Sequence, residues 1–149
     1  MTQTITSAET TATTTAATSR AAKAQGAIQA GVRIVVSFLF LCHGLQGFGF
    51  FGGVDGAGGS VELGSWPGWY GSVIEMVGAA LVLVGLFTRP VAVLLSGVMA
   101  YAYFTVHAPE GLLPLQNMGE LSTLYCWIFL LIAAVGPGTF ALDTLRRRR

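Results

Sequence analysis

Hydrophobic residues in this chain are gathered into four long stretches, at about residues 34–51, 69–87, 91–107 and 119–135. They do not alternate with polar residues at the period of a half-buried strand, and the runs are too continuous for the one-sided stripe of a soluble helix. A transmembrane helix needs about 20 mostly apolar residues, with about 17 sufficient. The pattern therefore predicts four membrane-spanning helices in an all-α bundle, with the domain running over about residues 27–143. Residues 1–26 are rich in Thr and Ala and carry almost no large apolar side chains. Such a segment cannot bury a core, so it is expected as a disordered or loosely helical tail. It does not resemble a secretory signal, because Arg20 and Lys23 come late and no small-residue cleavage site follows the first apolar stretch. That stretch is expected to be a retained span.

The connections differ in kind. Residues 52–68 form a Gly-rich loop containing Asp55 and Glu62, and it ends in Trp66, Trp69 and Tyr70, where an interfacial aromatic belt belongs. Thr88-Arg89-Pro90 is short enough for a tight turn, with Pro90 suited to the first position of the third helix. Residues 108–118 contain Pro109 and Pro114, and Gly136-Pro137-Gly138 stops the fourth helix. Small residues mark the second helix (Gly71, Gly78, Ala79, Gly85) and the third (Ser96, Gly97, Ala100). In lipid such residues locate the faces on which helices approach each other.

Charge orients the spans. The composition is 53% hydrophobic and 10% charged, against about 25% charged in an ordinary soluble domain. Arg20, Lys23 and Arg33 precede the first stretch, Arg89 lies between the second and third, and Arg146, Arg147, Arg148 and Arg149 follow the fourth. The other two connections contain no Lys or Arg. Short cytoplasmic loops carry the positive charge, so both termini are expected in the cytoplasm of a bacterial inner membrane. The net charge of +1 gives no reason to invoke nucleic acid. After a membrane helix, the basic tail at 144–149 reads as an orientation and headgroup anchor.

Polar residues within the spans are the candidate chemistry. Glu75 lies eight residues beyond Pro67, about 12 Å below the outer boundary at 1.5 Å per residue. An ionisable group at that depth is costly and faces the interior with a partner. His43 lies at a similar depth in the first helix, with Gln46 on the same face. A His43–Glu75 pair would suit a proton relay, and a carboxyl hydrogen-bonded between helices is the competing structural account. His107 ends the third helix, and Asn117 and Glu120 lie where the fourth begins. Together His43, Gln46, Glu75, His107 and Glu120 predict an outward-facing polar pocket. Cys42 and Cys126 are the only cysteines. They are candidates for a redox pair or, more plainly, two small packing residues. There is no Cys-x-x-Cys and no closed His/Cys ligand set, so neither a metal nor an intrinsic cofactor is expected.

Several motifs in order resemble the DoxX family. His43-Gly44-Leu45-Gln46-Gly47-Phe48-Gly49-Phe50-Phe51-Gly52-Gly53 resembles its first-helix signature. Ile74-Glu75-Met76-Val77-Gly78 with Val84-Gly85-Leu86-Phe87-Thr88-Arg89 resembles its second-helix pattern and Thr-Arg turn. Val106-His107, Gly111 and Gly119-Glu120 are similar to its third and fourth helix ends, and Gly136-Pro137-Gly138-Thr139-Phe140-Ala141-Leu142-Asp143 to its closing motif. The resemblance implies a four-helix bacterial inner-membrane protein linked to quinone-dependent redox systems, in some members a subunit of a thiosulfate:quinone oxidoreductase attached to a terminal oxidase. It also implies other membrane or respiratory-complex subunits as partners, with a homo-oligomer compatible. The family often carries Lys where Gly47 stands, and this departure weighs against an anion such as thiosulfate in the outer pocket. Three functions follow as expectations. The first is a quinone-linked redox subunit using Glu75 and His43. The second is a noncatalytic accessory subunit, favoured by the lack of any electron-carrier motif. The third is a small proton-coupled transporter, although four-helix exporters with one membrane Glu carry it in the first helix.

Overall fold

Every regular element of the computed structural model, which describes residues 2–146, is helical, and no strand occurs among those residues. Helix α1 covers Thr2–Gln46, α2 Gly68–Val84, α3 Thr88–Ala102, α4 Glu120–Val135 and the short α5 Leu142–Arg146. Two stretches are long and apolar enough to cross a membrane: Ala17–Gln46, and Thr88–Glu110, which combines α3 with a π-helical turn at Tyr103–His107 and a 3-10 turn at Ala108–Glu110. α2 and α4 are apolar but shorter, at 17 and 16 residues. Arg147, Arg148 and Arg149 of the predicted basic tail, and Met1, lie outside the described residues.

The boundaries differ from the hydropathy pattern where glycine acts. The first apolar stretch was expected to run to residue 51, but α1 ends at Gln46. Gly47 and Gly49 follow, and Gly49 adopts φ 89°, a left-handed conformation that glycine takes without steric cost. α2 ends at Val84 because Gly85 (φ 73°) forms a Schellman cap: Gly85 N–H donates to Val82 O at 3.0 Å and Leu86 N–H to Leu81 O at 2.9 Å. α3 starts at Thr88, so Pro90 occupies its third position and not its first. The tail expected to be disordered or loosely helical continues α1 back to Thr2. It contains no Pro and no Gly before Gly26, so nothing interrupts propagation from the buried part of the helix. Residues 17–25 are exposed.

The core is built where small residues let the helices meet. α1 packs on α2 and α3 on α4, with α2 against α3 joining the pairs. Phe40, Val82, Leu95, Met99, Phe129 and Ile132 are buried together with Ala79, Ala92 and Ala133. Gly78 leaves the space that Leu95 fills: a Cβ there would lie 2.6 Å from Leu95 Cδ2. Phe40 of α1 reaches α4, with ring centroids 4.8 Å from Tyr125 and 4.9 Å from Phe129. The outward faces carry large apolar side chains open to the surroundings, among them Phe38 (55% exposed) and Trp127 (66%).

One end of the helix assembly is closed by a polar clasp around Arg33, which is fully buried. Its Nε donates to Pro137 O at 2.9 Å, Nη1 to Val82 O at 2.8 Å and to Leu83 O, and Nη2 to Phe140 O at 3.0 Å. The guanidinium thus supplies a donor to Leu83 O at the end of α2 and a second donor to Val82 O, which also accepts from Gly85 N–H, and binds the segment after α4 to them. Asp143 completes the clasp by capping α3, its two carboxylate oxygens accepting from Phe87 N–H at 2.9 Å and Thr88 N–H at 2.8 Å. Thr139 N–H donates to Gly26 O at 3.1 Å, which ties the same segment to α1. The opposite end carries the two longer loops and the cavity described next.

Candidate functional site

Gly44 and Gly47 bring α1 so close to α2 that a side chain does not fit between them. A Cβ on Gly44 would lie 2.8 Å from Met76 N, and one on Gly47 would overlap the Ser72 hydroxyl and lie 2.6 Å from Ser72 Cβ. This contact sets His43 and Gln46 of α1 beside Ser72 and Glu75 of α2. All four line one cavity of about 390 Å³, closed on a further side by Val98 and Tyr101 of α3 and Thr105 of the π-helical turn. That volume is near the lower end of the range for small-molecule sites, about 300–1,000 Å³.

The Gly-rich loop forms the rim and is itself ordered by hydrogen bonds. Asp55 Oδ1 accepts from Ala57 N–H and Gly59 N–H, both at 2.8 Å. These bonds favour the ionised carboxyl and hold it below its ordinary range. Val54 N–H donates to Gly59 O at 3.0 Å, and Val61 N–H to Gly47 O at 2.9 Å, which seats the loop on the end of α1. Trp66 packs edge-on against Tyr101 with centroids 5.8 Å apart, joining the loop to α3 beside the cavity.

Glu75 is 9% exposed, and its side chain makes no hydrogen bond or ion pair among the described residues. It borders the cavity instead. His43 also lines the cavity but is largely exposed, its ring stacked on Phe40 at 5.9 Å. The two therefore share a cavity at similar depth without a direct hydrogen bond. Among the described residues, Glu75, His43 and the Tyr101 phenol are the titratable side chains that line it, and none of the lining residues is Lys or Arg.

The other predicted site residues lie elsewhere. His107 ends the π-helical turn with Nδ1 3.0 Å from Asn117 O, and Asn117 is 4% exposed. Asn117 donates from Nδ2 to Gly111 O at 2.8 Å and accepts at Oδ1 from Gly119 N–H at 2.9 Å. This pair braces the loop before α4 and does not line the cavity. Glu120 is exposed in the first turn of α4. Cys42 and Cys126 are free, half-buried thiols, and Cys126 Sγ lies 3.4 Å from Ser96 Oγ. No group of three or more His, Cys, Asp or Glu side chains suited to a metal occurs among the described residues. Ser72 and Thr105 were not anticipated. Ser72 could have been found, because it lies three residues before Glu75 on the same helical face.

The DoxX family profile matches residues 28–108, more than half of the chain. This chain belongs to the DoxX family. His43, Gln46, Ser72 and Glu75 fall within the matched region, whereas α4 and the closing segment lie beyond it. A protein of Haemophilus influenzae that carries no functional name is 44% identical over 117 residues, covering 76% of this DoxX chain and 87% of the relative. A Bacillus subtilis protein named "Putative oxidoreductase CatD" is 30% identical over 112 residues, covering 75% and 81% respectively. No solved structure matches. With two helices apolar enough to cross a bilayer, the chain is a DoxX membrane protein.

Proposed function

We propose that this protein spans the bacterial cytoplasmic membrane four times, with both termini in the cytoplasm, and serves as a subunit of a quinone-linked redox complex whose ligand site is the Glu75 cavity. The exposed apolar faces support insertion, since a soluble surface rarely carries so much contiguous apolar area. Arg33, Arg89 and Arg146 gather at the clasp end, and the loops at the other end have no basic residue, which supports the orientation. The shorter α2 and α4 are compatible with spanning where the bilayer thins and interfacial aromatics such as Trp66 and Trp69 anchor the ends.

The observation that carries the site is a buried carboxyl facing a cavity without a protein partner. Ionisable groups at membrane depth are expensive, and one left unpaired beside open space is best explained by a ligand or a proton path. A quinone bound there would accept two electrons together with two protons. Glu75 is placed to hold and deliver a proton to a ring oxygen. His43, exposed at the same cavity, is placed to exchange protons with the outside, and Gln46 and Ser72 can hydrogen-bond the ring substituents. The absence of Lys and Arg from the lining favours a neutral headgroup over an anion such as thiosulfate. The electrons must come from a partner subunit bearing a redox centre. The name of the Bacillus subtilis relative is in keeping with an oxidoreductase system.

Purification of the native protein in mild detergent, with identification of what copurifies, tests the partner, and quinone-dependent turnover of that assembly tests the site. Glu75→Gln is expected to lower turnover by about a hundredfold or more, the usual contribution of a positioned acid or base. Unchanged turnover in an intact assembly would remove Glu75 from the reaction and leave the accessory-subunit reading.

A further inference from the structure

A second groove lies at the clasp end, away from the Glu75 cavity. It has a volume of about 480 Å³ and is bordered by Arg89, Arg146, Phe87, Val135 and Asp143. Asp143 is the one acidic side chain on it among the described residues. Its two oxygens are already engaged by Phe87 N–H and Thr88 N–H, so much of its charge is spent on the α3 cap. Arg146 lies over the Phe87 ring at 5.4 Å, which fixes one cation at the rim. Arg89 lies on the other side, in the room left by Gly136: a Cβ there would lie 3.2 Å from Arg89 Nη2. Gly136 has φ 98°, a left-handed conformation that favours glycine.

Val135 borders this basic groove and also a third, apolar one of about 570 Å³ between α1 and α4, lined by Ile28, Val32 and Leu131 among others. A basic recess thus adjoins an apolar channel at one residue, at the end of the helices where the proposed topology puts the lipid headgroups. We propose that the clasp end is a selective site for an anionic phospholipid, with its phosphate between Arg89 and Arg146 and one acyl chain along the α1–α4 groove. A guanidinium pair matches phosphate oxygens in geometry as well as charge, and basic recesses beside membrane helices are suited to such headgroups. The site rests on the clasp end lying in the headgroup region. It is independent of the Glu75 cavity and of any quinone chemistry.

The test uses the full-length protein in neutral detergent, titrated with dioctanoyl phosphatidylglycerol, dioctanoyl phosphatidylcholine or inorganic phosphate, and read by native mass spectrometry and by the shift in Tm. Phosphatidylglycerol is expected to bind with a clear preference over phosphatidylcholine. That preference should fall by about fivefold for each of Arg89→Gln and Arg146→Gln, the effect of one basic residue at an anionic surface. It should survive Arg20→Gln and Lys23→Gln. Val135→Trp, which fills the junction, should weaken phosphatidylglycerol without changing the response to phosphate. Because each variant is judged by its preference between two lipids, a general loss of stability does not imitate the result. Equal binding of the two lipids would overturn the site. Preference retained in the double Arg89→Gln/Arg146→Gln variant would place anion binding elsewhere, on the 147–149 arginines for instance, and also overturn it. Phosphate binding as tightly as phosphatidylglycerol, with Val135→Trp inert, would show a free-anion site and overturn the lipid assignment. A failure of the four-span topology would appear separately, in cysteine-accessibility mapping of vesicles, and so would not be mistaken for any of these.

Discussion

Gly47→Ala is the substitution for which the structure gives the clearest magnitude. The new Cβ would overlap the Ser72 hydroxyl, which can rotate away, and would also lie 2.6 Å from Ser72 Cβ, which cannot. Relief therefore requires α1 and α2 to separate. Overpacking of this kind costs about 1–3 kcal/mol, and replacing glycine returns about 0.4–1 kcal/mol by restricting the unfolded chain. The net expectation is a loss of about 1–2 kcal/mol. Ser72→Gly removes both obstructing atoms, so Gly47→Ala in that background should cost little, giving a coupling of about 1 kcal/mol or more between the two sites. Equilibrium unfolding in mixed micelles, followed by the fluorescence of Trp66, Trp69 and Trp127, provides the four stabilities of the cycle. Gly47→Lys should be worse than Gly47→Ala and should also be eased by Ser72→Gly. A Gly47→Ala protein as stable as the parent, with coupling below about 0.3 kcal/mol, would refute the close-approach argument.

Arg33→Met should destabilise by about 3–5 kcal/mol in the same unfolding assay, because four carbonyl hydrogen bonds to a buried cation are lost together, and Arg33→Lys should recover only part; a loss below about 1 kcal/mol would deny the clasp its role. Asp143→Ala should cost about 1 kcal/mol at neutral pH through loss of the α3 cap. Partial burial raises the Asp143 carboxyl, but the Thr88 and Phe87 N–H groups and Arg146 outweigh it, so its pKa is lowered overall. A lowered pKa gives stability that is present above the unfolded value and lost as pH falls through the folded one. The gap between parent and Asp143→Ala should therefore close below about pH 4, and a gap independent of pH would contradict this origin. Asn117→Ala should cost about 1–3 kcal/mol by leaving Gly111 O unpaired and Gly119 N–H with Pro114 O as its one remaining acceptor, and hydrogen exchange should rise in residues 108–119; unchanged exchange there would show that the loop is held by other contacts.

The all-helical class and the approximate placement of the four longer helices were legible because a continuous apolar run is a strong signal that does not depend on tertiary context; the short α5 was not. The ends were less so. Phe48, Phe50 and Phe51 raise hydropathy beyond Gln46, but hydropathy does not register that Gly47 and Gly49 release the helix. The juxtaposition of His43, Gln46 and Glu75 could be read from depth alone, since each helix rises a fixed distance per residue. The division of His107 and Glu120 from that group could not, because it depends on the π-helical turn at Tyr103–His107 and on where Asn117 directs its amide. Arg33 was read as a charge that orients the first span. Its acceptors lie 49 to 107 residues away in the chain, and no local pattern marks them.

That separation bears on how the protein is made. Chains emerge from the ribosome N-terminus first, so α1 meets the membrane carrying a guanidinium whose first acceptors, at Val82 and Leu83, are not yet synthesised. Those at Pro137 and Phe140 arrive 104 and 107 residues after Arg33. Until then the cation can satisfy itself only by staying near headgroups and water, which holds α1 shallow and the helices loosely gathered. The closing segment is thus a completeness test written into the chain. A polypeptide truncated before Pro137 keeps an unsatisfied charge at its own helix interface, and the state it presents to membrane proteases differs from that of the finished protein.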